Sequence, residues 1–310
     1  MRVVFMGTPT FAVPVLSALL ESNYEIVGVI SRPDRPIGRG QKMSPNPINR
    51  YAMDHNLRIS QPVSLRSEEV QRQIFKLKPN VIIIAAYSRY IPNTILNIPD
   101  HGCLNIHPSL LPKYRGPSPV STAILAGDNT TGVTVMKVTD MMDAGPIIAS
   151  RKMAIGPDDT TENLTLRLFE MGAELLMEIL PKWTACKITA EQQQPALVTT
   201  TKLLTRQDGK IDWTEPADLI ARKVRAYHPW PGSYALWNGK LLKIITAHTN
   251  NSVELSVPPS NVIGLSEGIL AVATAQGVLI IDTLQLEGGR PTTASEFLSG
   301  HRDIIGAHLI

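Results

Sequence analysis

Two polar side chains near the middle of the chain have the types and the spacing that acyl transfer needs. Asn105 lies in the predicted strand 103–106 and His107 directly follows it. Because the two are two residues apart, their side chains point to the same side of an extended strand. A histidine exchanges protons near neutral pH, and an asparagine amide can donate a hydrogen bond to a developing oxyanion. The pair suits attack on a carbonyl-like centre, although a structural histidine is the commoner explanation of such a pair alone.

Two aspartates follow the next predicted strand. Asp140 and Asp143 precede Ala144-Gly145-Pro146. A carboxylate beside a histidine stabilises the imidazolium and fixes the orientation of the ring. One of these aspartates could serve His107 in this way. The alternative is that both only make turns.

The sequence lacks the usual signatures of a bound cofactor or metal. The turn Met6-Gly7-Thr8-Pro9 has one glycine where a dinucleotide-binding fold carries G-x-G-x-x-G. No P-loop, H-E-x-x-H motif or metal-spaced Cys/His cluster is present, and two cysteines, Cys103 and Cys186, are too few for a disulfide framework. We therefore expect no nicotinamide cofactor and no metal, and we expect Cys103 to be a small buried strand residue.

Apolar runs alternate with helical patterns in the first half of the chain. Strands are predicted at 2–6, 25–30, 81–85, 103–106, 131–138 and 146–153, and helices at 67–78, 117–126 and 159–180. A further helix is expected to open at Pro9 with Thr8 as its cap, and Asp159 with Glu162 resembles a capping box. Continuous apolar strands between helices favour a largely parallel sheet, which binds its ligand at the carboxyl ends of its strands.

The pattern changes near residue 184. A polar stretch without periodicity spans 192–201, which is typical of a linker. Beyond it, one predicted helix is followed by short strands separated by glycine-containing turns, and this spacing suggests a small β-barrel or sandwich. The helix is predicted at 216–225 and the strands at 234–237, 241–247, 261–265, 269–273 and 278–284. We therefore expect a domain at 1–188, a linker at 189–208 and a second domain at 209–310.

Composition favours a globular protein of a reducing compartment. The chain has 310 residues, of which 43% are hydrophobic, and a mean hydropathy of +0.01, enough for two domains with sizeable cores. Its longest apolar runs have the length of strands, and the first seven residues lack the pattern of a signal peptide. We therefore expect no membrane partner and a cytoplasmic location.

Positive charge is concentrated in one segment. The net charge of +3 is too small to indicate a nucleic-acid binder by itself. Between residues 32 and 50, however, five basic residues face one acid, which gives this segment a charge of +4. Such a segment can wrap phosphates, but without further information solvated surface charge is the commoner explanation.

Taken together, these residues resemble the formyltransferase domain that uses 10-formyltetrahydrofolate. The resemblance is carried by Gly7-Thr8-Pro9, by N-I-H-P-S-L-L-P-K-Y-R-G at 105–116, and by Asp143-Ala144-Gly145. It implies a Rossmann-like domain in which Asn105, His107 and Asp143 are the catalytic group, with 10-formyltetrahydrofolate as co-substrate and no metal. The folate-binding residues that it implies are Ala85, Ala86, Tyr87, Ser88, Ser109, Leu110, Leu111, Pro112 and Asp140.

Three further segments resemble the methionyl-tRNA formyltransferases in particular. They are the basic segment 31–40, Ile211-Asp212-Trp213 and the stretch 225–232. The resemblance covers nearly the whole chain and implies an α/β fold in which a Rossmann-like, mostly parallel sheet domain precedes a small OB-like β-barrel. Ser88 and Met141 stand where many family members have glycine. The tRNA-binding residues implied are Arg35, Arg39, Lys42, Arg222, Lys223 and Arg225.

The implied activity is transfer of a formyl group to the α-amino group of methionyl initiator tRNA, by a protein that we expect to be a monomer. Two alternatives remain. The same chemistry could act on another amine, such as a nucleotide-linked amino sugar, or hydrolyse the formylfolate, although we expect no regulatory amino-acid-sensing domain before Met1. A non-catalytic RNA-binding protein could also keep the fold, but the intact trio of Asn105, His107 and Asp143 counts against it.

Overall fold

The computed structural model describes residues 1–37, 42–250, 257–265 and 268–310, without the side chains of Ile37 and Lys42. They form two units. The first consists of Met1–Pro119, Thr130–Ala154 and Thr165–Lys202, and the second of Val120–Asn129, Ile155–Leu164 and Leu203–Ile310. The domain bounds predicted from the sequence remain a prediction.

The described part of the first unit contains nine strands: β1 (Arg2–Gly7), β2 (Glu25–Ile30), β3 (Arg35–Ile37), β4 (Lys42–Ser44), β5 (Ile59–Ser60), β6 (Val81–Ala85), β7 (Cys103–His107), β8 (Thr130–Lys137) and β9 (Ile147–Ala154). Seven of them form one sheet in the order β5-β2-β1-β6-β7-β8-β9, while β3 and β4 form a hairpin. The sheet is parallel from β5 to β7, whereas β8 pairs antiparallel with both β7 and β9. The mostly parallel α/β sheet predicted from the sequence is confirmed, with antiparallel pairing at one edge.

Among the described residues before 185 there are six α-helices: α1 (Val13–Leu20), α2 (Pro47–Asp54), α3 (Glu68–Lys76), α4 (Asn93–Leu96), α5 (Pro119–Ala126) and α6 (Thr161–Thr184). The predicted helix start at Thr8 and Pro9 is wrong. Pro9 is extended, a 3₁₀ turn follows at Thr10–Ala12, and the Thr8 hydroxyl instead accepts a hydrogen bond from the Arg32 N–H.

The start of α6 also differs from its prediction. Asp159 turns its carboxylate back to accept a hydrogen bond from the Gly156 N–H at 2.7 Å, so it does not pair with Glu162. The reciprocal pair is made one residue later by Thr160 and Asn163, at 2.9 and 3.4 Å. An asparagine thus takes the place of the glutamate in the usual capping box.

Helix α6 packs closely against β7 and β8. At Gly172, an added Cβ would lie 2.6 Å from Ile106 Cγ2 and 3.0 Å from Val133 Cγ2, so only glycine fits there. On this sheet Cys103 is 1% exposed, as predicted, and burial raises the pKa of its thiol to about 12.

The second unit is a curled antiparallel half-barrel. Its strands are β10 (Ser233–Trp237), β11 (Lys240–Asn250), β12 (Val262–Gly264), β13 (Leu270–Ala273), β14 (Val278–Leu286) and β15 (Thr292–Thr293), with helices α7 (Ala217–Ala226) and α8 (Ala294–Gly300). The strand order is β10-β11-β14-β13-β12, and β15 pairs with β14. Of the two folds that the strand spacing left open, the structure is therefore the barrel-like one.

The final residues join the two open edges of this half-barrel. Ile310 exchanges two backbone hydrogen bonds with Leu236 of β10, at 2.6 and 3.0 Å. Ala307 accepts from the N–H of Val262 in β12, and Leu309 donates to Ser260 just before it. The tail therefore covers edge groups that would otherwise be unpaired.

Candidate active site

Strand β7 presents Asn105 and His107 on one face, as their spacing predicts. Ile106 between them points to the other face, where it packs against Gly172. His107 is only 4% exposed. Asn105 is half-buried, and its side chain makes no hydrogen bond to any residue that the structure describes. Asn105 therefore retains a free amide that can bind a substrate oxygen.

Both ring nitrogens of His107 face an oxygen. Nε2 lies 3.0 Å from the backbone carbonyl oxygen of Tyr114, and because a carbonyl can only accept, Nε2 carries a proton. Nδ1 lies 3.7 Å from Oδ2 of Asp143. This separation is longer than a hydrogen bond but close enough for a charge interaction. Nδ1 therefore makes no hydrogen bond to a described residue, and the Asp143 carboxylate faces it.

Asp143 reaches His107 by folding back over the sheet. β8 pairs its residue Lys137 with Leu104, so the chain leaves β8 near the start of β7, whereas His107 is at the end of β7. The loop 138–146 must therefore run back along β7 to place Asp143 beside the histidine. As the sequence suggests, an aspartate lies beside His107. Asp143 reaches the histidine, however, through a loop that folds back from an antiparallel strand, which a purely parallel sheet would not contain.

Two constraints hold Asp143 in place. Its backbone has φ of 49°, a left-handed conformation that asparagine and aspartate tolerate better than most residues. Its Oδ2 accepts a hydrogen bond of 2.8 Å from the Gly116 N–H. Gly116 has φ of 111°, and a Cβ there would lie 2.7 Å from Thr201 Oγ1. Only glycine allows this close approach, so the loop after β7 anchors the carboxylate by its backbone.

The loop 109–112, which the resemblance assigns to folate binding, is fixed on β8. Ser109 is fully buried, and its hydroxyl donates to the Lys113 carbonyl at 2.7 Å. Thr134 Oγ1 donates to the Ser109 carbonyl and accepts from the Leu111 N–H. Leu110 packs over Gly132, where an added Cβ would lie 2.5 Å from the leucine Cδ2. The loop, which ends in the cis Leu111–Pro112 bond, is thus held rigidly next to His107.

The segment 85–88, also assigned to folate by resemblance, follows β6. Ala85 is buried at the strand end, and Ala86 and Ser88 both have left-handed φ, 50° and 55°. Tyr87 is 1% exposed and packs into the core beneath the sheet, where its hydroxyl has no hydrogen-bond partner among the described residues. Ser88 is exposed, and so is Asp140 at the start of the loop 138–146.

The basic segment of the first unit begins as a hairpin, not as a loop. Arg35 is exposed on β3, and within the described parts of the chain no acid pairs with its side chain. The neighbouring Asp34 is occupied by amides, because it accepts hydrogen bonds from Asn46, Asn49 and Gln61. Arg39 and the Lys42 side chain lie outside the described residues.

The three basic residues named in the second unit have different surroundings. Lys223 forms an ion pair with Glu215. Arg225 donates to the Asp159 carbonyl at 3.0 Å, and burial is the main reason why its pKa is lowered. Arg222 is half-buried, and its Nε has no partner among the described residues. Of these three residues, Arg222 is the one that makes neither a hydrogen bond nor an ion pair with a described residue.

Four residues at the site were not predicted from the sequence. Tyr114 supplies the carbonyl for His107, Gly116 supplies the N–H for Asp143, and Arg115 and Gln193 bond to each other at 2.8 and 3.0 Å. The first two act through their backbone, which no side-chain pattern reports. Gln193 lies in the polar stretch interpreted as a linker, where a buried glutamine looks the same as an exposed one.

Neither a metal site nor a membrane span is found in the part of the chain that the structure describes. No group of three or more His, Cys, Asp or Glu side chains there is arranged to hold a metal ion. Within the same residues, no helix is both long enough and apolar enough to cross a bilayer.

Both parts of the chain match models of known protein families. Residues 1–180 match the model described as formyl transferase, and residues 203–302 match formyl transferase, C-terminal domain. The methionyl-tRNA formyltransferase of Roseiflexus castenholzii is 45% identical over 303 residues, covering 97% of this chain and 96% of that protein. The methionyl-tRNA formyltransferase of Methylococcus capsulatus is 40% identical over 301 residues, covering 97% of each chain.

Solved structures share the fold at lower identity. HypX from Aquifex aeolicus, in complex with tetrahydrofolic acid, is 19% identical with a TM-score of 0.66 over 97% of this chain. This chain spans only 47% of HypX. The N-formyltransferase from Helicobacter canadensis, in complex with folinic acid and dTDP-3-aminofucose, is 19% identical with a TM-score of 0.67, covering 91% of this chain and 98% of that one.

Proposed function

The chain belongs to the methionyl-tRNA formyltransferase branch of the formyl transferase family, and we propose that it transfers the formyl group of 10-formyltetrahydrofolate to the α-amino group of methionyl initiator tRNA. Identity of 40–45% over nearly the full length of both chains supports the acceptor. The observation that supports the reaction is the placement of the Asp143 carboxylate 3.7 Å from His107, on the strand that also carries the free Asn105 amide.

We assign the formyl oxygen to Asn105 and His107. Nε2 of His107 is committed to the Tyr114 carbonyl, so the second proton of the imidazolium sits on Nδ1. The 3.7 Å to Asp143 leaves this N–H free to donate elsewhere. When the methionyl amine attacks the formyl carbon, the Asn105 amide and the His107 Nδ1–H can both donate to the oxyanion that forms.

Asp143 has two tasks in this scheme. Its charge stabilises the imidazolium, and through a water molecule it accepts the proton that the attacking amine loses. Collapse of the tetrahedral intermediate breaks the bond from the formyl carbon to N10 of the folate, and N10 takes up a proton as tetrahydrofolate leaves. No redox step or metal is required for this balance.

The folate is proposed to lie against the two rigid loops beside β7. The exposed groups there are the backbone around Ser88, the half-buried Leu110 and Pro112, and the carboxylate of Asp140. Ser109 and Tyr87 contribute by shaping these loops, because the hydroxyl of the first is used internally and the ring of the second is in the core. Ala85, Ala86 and Leu111 also belong to the proposed site because they shape these loops.

For the tRNA, we propose the basic hairpin as the main contact. Arg35 is exposed and forms no ion pair with an acid among the described residues, and Arg39 and Lys42 follow it in the sequence. In the second unit Arg222 is half-buried and forms no ion pair with a described acid, so we propose its guanidinium as a further contact. Lys223 and Arg225 are tied to Glu215 and to the Asp159 carbonyl, so we expect them to support the tRNA surface more than to touch it.

We further propose that the protein acts in the cytoplasm as a monomer. A single chain suffices because the catalytic trio and the loops that hold it all come from residues 105–201. Sedimentation of the protein with and without methionyl-tRNA tests whether it is a monomer.

The proposed function is tested by transfer of labelled formyl from 10-formyltetrahydrofolate to initiator and elongator methionyl-tRNA, in the presence of a chelator. We expect rapid formylation of the initiator alone. Equal formylation of both tRNAs would refute the initiator specificity. Failure with both, while tetrahydrofolate still binds, would overturn the acceptor, and a nucleotide-linked amino sugar would be the next amine to try.

A further inference from the structure

One polar segment connects both loops of the candidate active site. Residues 191–201, here called the bracing segment, pair by backbone with the start of β9, since Glu191 and Ile147 exchange two hydrogen bonds of 2.8 Å. The same segment pairs with the loop after β7, since Arg115 donates to Thr199 at 2.9 Å and accepts from Thr201 at 2.8 Å. The bracing segment thus spans the gap between the loop of Asp143 and the loop of Gly116.

Gln193 lies at the centre of this bridge and uses its whole carboxamide. Nε2 donates to the carbonyls of Asp143 and Gly145, at 2.8 and 2.7 Å. Oε1 accepts from Nε and Nη2 of Arg115, at 3.0 and 2.8 Å. The side chain is buried, with 8% of the residue exposed. Carbonyls only accept and a guanidinium only donates, so a group here must do both, as an amide does and a carboxylate cannot.

The contacts of Gln193 bear directly on the catalytic carboxylate. Asp143 is held by its own carbonyl to Gln193 and by its carboxylate to the Gly116 N–H. Arg115, the other partner of Gln193, is the residue directly before Gly116. Asp143 also sits in a left-handed conformation, which persists only where surrounding contacts impose it. Gln193 therefore fixes both the loop that carries the carboxylate and the loop that orients it.

We infer that Gln193 is a positioning residue for the formyl transfer, which sets the distance from Asp143 to His107 without touching either substrate. The inference rests on the function proposed above. It predicts that loss of the two donors of Gln193 lowers turnover and leaves substrate binding nearly intact, because the oxyanion donor Asn105 and both substrate surfaces remain.

Two substitutions separate the halves of the amide. Gln193→Glu keeps an acceptor for Arg115 but removes both donors to the carbonyls of Asp143 and Gly145. Gln193→Ala removes the acceptor and both donors. Gln192→Glu and Gln192→Ala are matched controls, since Gln192 is exposed and its side chain has no hydrogen bond within the described residues. We expect both Gln193 variants to lower kcat at least tenfold with KM for each substrate changed less than threefold. The Gln192 variants should match the wild type.

A second measurement needs no activity. The Gly116 amide donates to the Asp143 carboxylate, so its NMR signal and its hydrogen exchange report whether that carboxylate is in place. In both Gln193 variants we expect this amide to shift and to exchange at least tenfold faster, while amides of β6 keep their protection. An unchanged Gly116 amide, or wild-type kcat in Gln193→Glu, would refute the inference. Inactive wild-type enzyme would instead refute the proposed function, and the Gly116 signal would still decide the role of Gln193.

Discussion

At the scale of single residues, the proposed chemistry depends on two groups that face each other across 3.7 Å. His107→Ala removes one oxyanion donor, and Asp143→Asn removes the charge opposite Nδ1. Asparagine is the informative replacement because it tolerates the left-handed φ of 49° and can still accept from Gly116. We expect each variant to lower kcat by about a hundred- to thousandfold, as loss of one preorganised donor does, measured by single-turnover formylation.

The control for these two variants is their stability and folate affinity. Both should unfold within a few degrees of the wild type and bind tetrahydrofolate with similar affinity, because neither residue belongs to the proposed folate surface. Near-wild-type turnover in either variant would remove that residue from the mechanism.

Ser88 is a residue where the sequence departs from the glycine of many family members, and its φ of 55° shows why glycine suits the position. A serine there bears a steric cost that glycine avoids, partly offset by the greater freedom of glycine in the unfolded chain. We therefore expect Ser88→Gly to raise the free energy of unfolding by about 0.5–1 kcal/mol, measured by urea denaturation. Ser64→Gly, at an exposed position without positive φ, should show no such gain. A loss of stability in Ser88→Gly would contradict the argument.

At the scale of elements, β7 is supported from behind by α6. Replacing glycine by alanine inside an exposed helix stabilises it by about 1 kcal/mol. At Gly172, however, the added methyl group would lie 2.6 Å from Ile106. We expect Gly172→Ala to cost about 1–3 kcal/mol through overpacking, and to lower kcat because Ile106 lies between Asn105 and His107.

The matched replacement for this test is Gly300→Ala at the end of α8, where no atom lies within 4 Å of the added Cβ. It should be neutral or slightly stabilising in urea denaturation. A stabilised Gly172→Ala protein with full activity would show that α6 can move away from β7 at little cost.

The strands could be predicted because a buried strand in an α/β sheet is a continuous apolar run, as 3–6 and 81–85 are. The direction of a strand could not be predicted, because a run of apolar residues has the same composition whichever way the strand points. The antiparallel direction of β8 and the loop that brings Asp143 back to His107 were therefore not predicted. The helix start at Asp159 was wrong because the next polar residue, Thr160, takes the cap. The start at Thr8 was wrong because Thr8 bonds to Arg32 instead, and α1 begins at Val13 without a side-chain cap. The helix α4 has only four residues, too few to show a helical period.

Some residues of the candidate site could likewise be predicted from the sequence, and others could not. Asn105, His107 and Asp143 carry their chemistry in their side chains, so spacing and family resemblance could identify them. Their supports are the Tyr114 carbonyl and the Gly116 N–H, which every residue type possesses. These supports become visible only when the fold brings them within hydrogen-bond distance.

At the scale of the whole molecule, charge is distributed unevenly. The region from Gly209 onward carries eight basic and nine acidic residues, whereas the segment 32–50 alone carries +4. Binding to the tRNA should therefore depend mainly on the hairpin of β3 and β4. We expect KM for methionyl-tRNA to rise steeply between about 50 and 200 mM KCl, and Arg35→Ala to reduce the slope against log salt by about one.

Lys76→Ala is the control for this charge effect. Lys76 is exposed at the end of α3, just before β6 begins. It therefore lies near the amino-terminal ends of the parallel strands, whereas His107 lies at the carboxyl-terminal end of β7. Its removal changes the net charge by the same amount and should leave the slope unchanged. Equal effects of the two variants would mean that only the net charge matters.

The bracing segment also has a consequence for how this enzyme is made. A chain is synthesised from its amino terminus, so Asn105, His107 and Asp143 all leave the ribosome before Gln193, Thr199 and Thr201. The trio exists in the nascent protein before the contacts that set its geometry. A gene fragment that stops at codon 188 would encode all three catalytic side chains and none of these contacts. Grafting this active site onto another protein therefore requires a cut after residue 201.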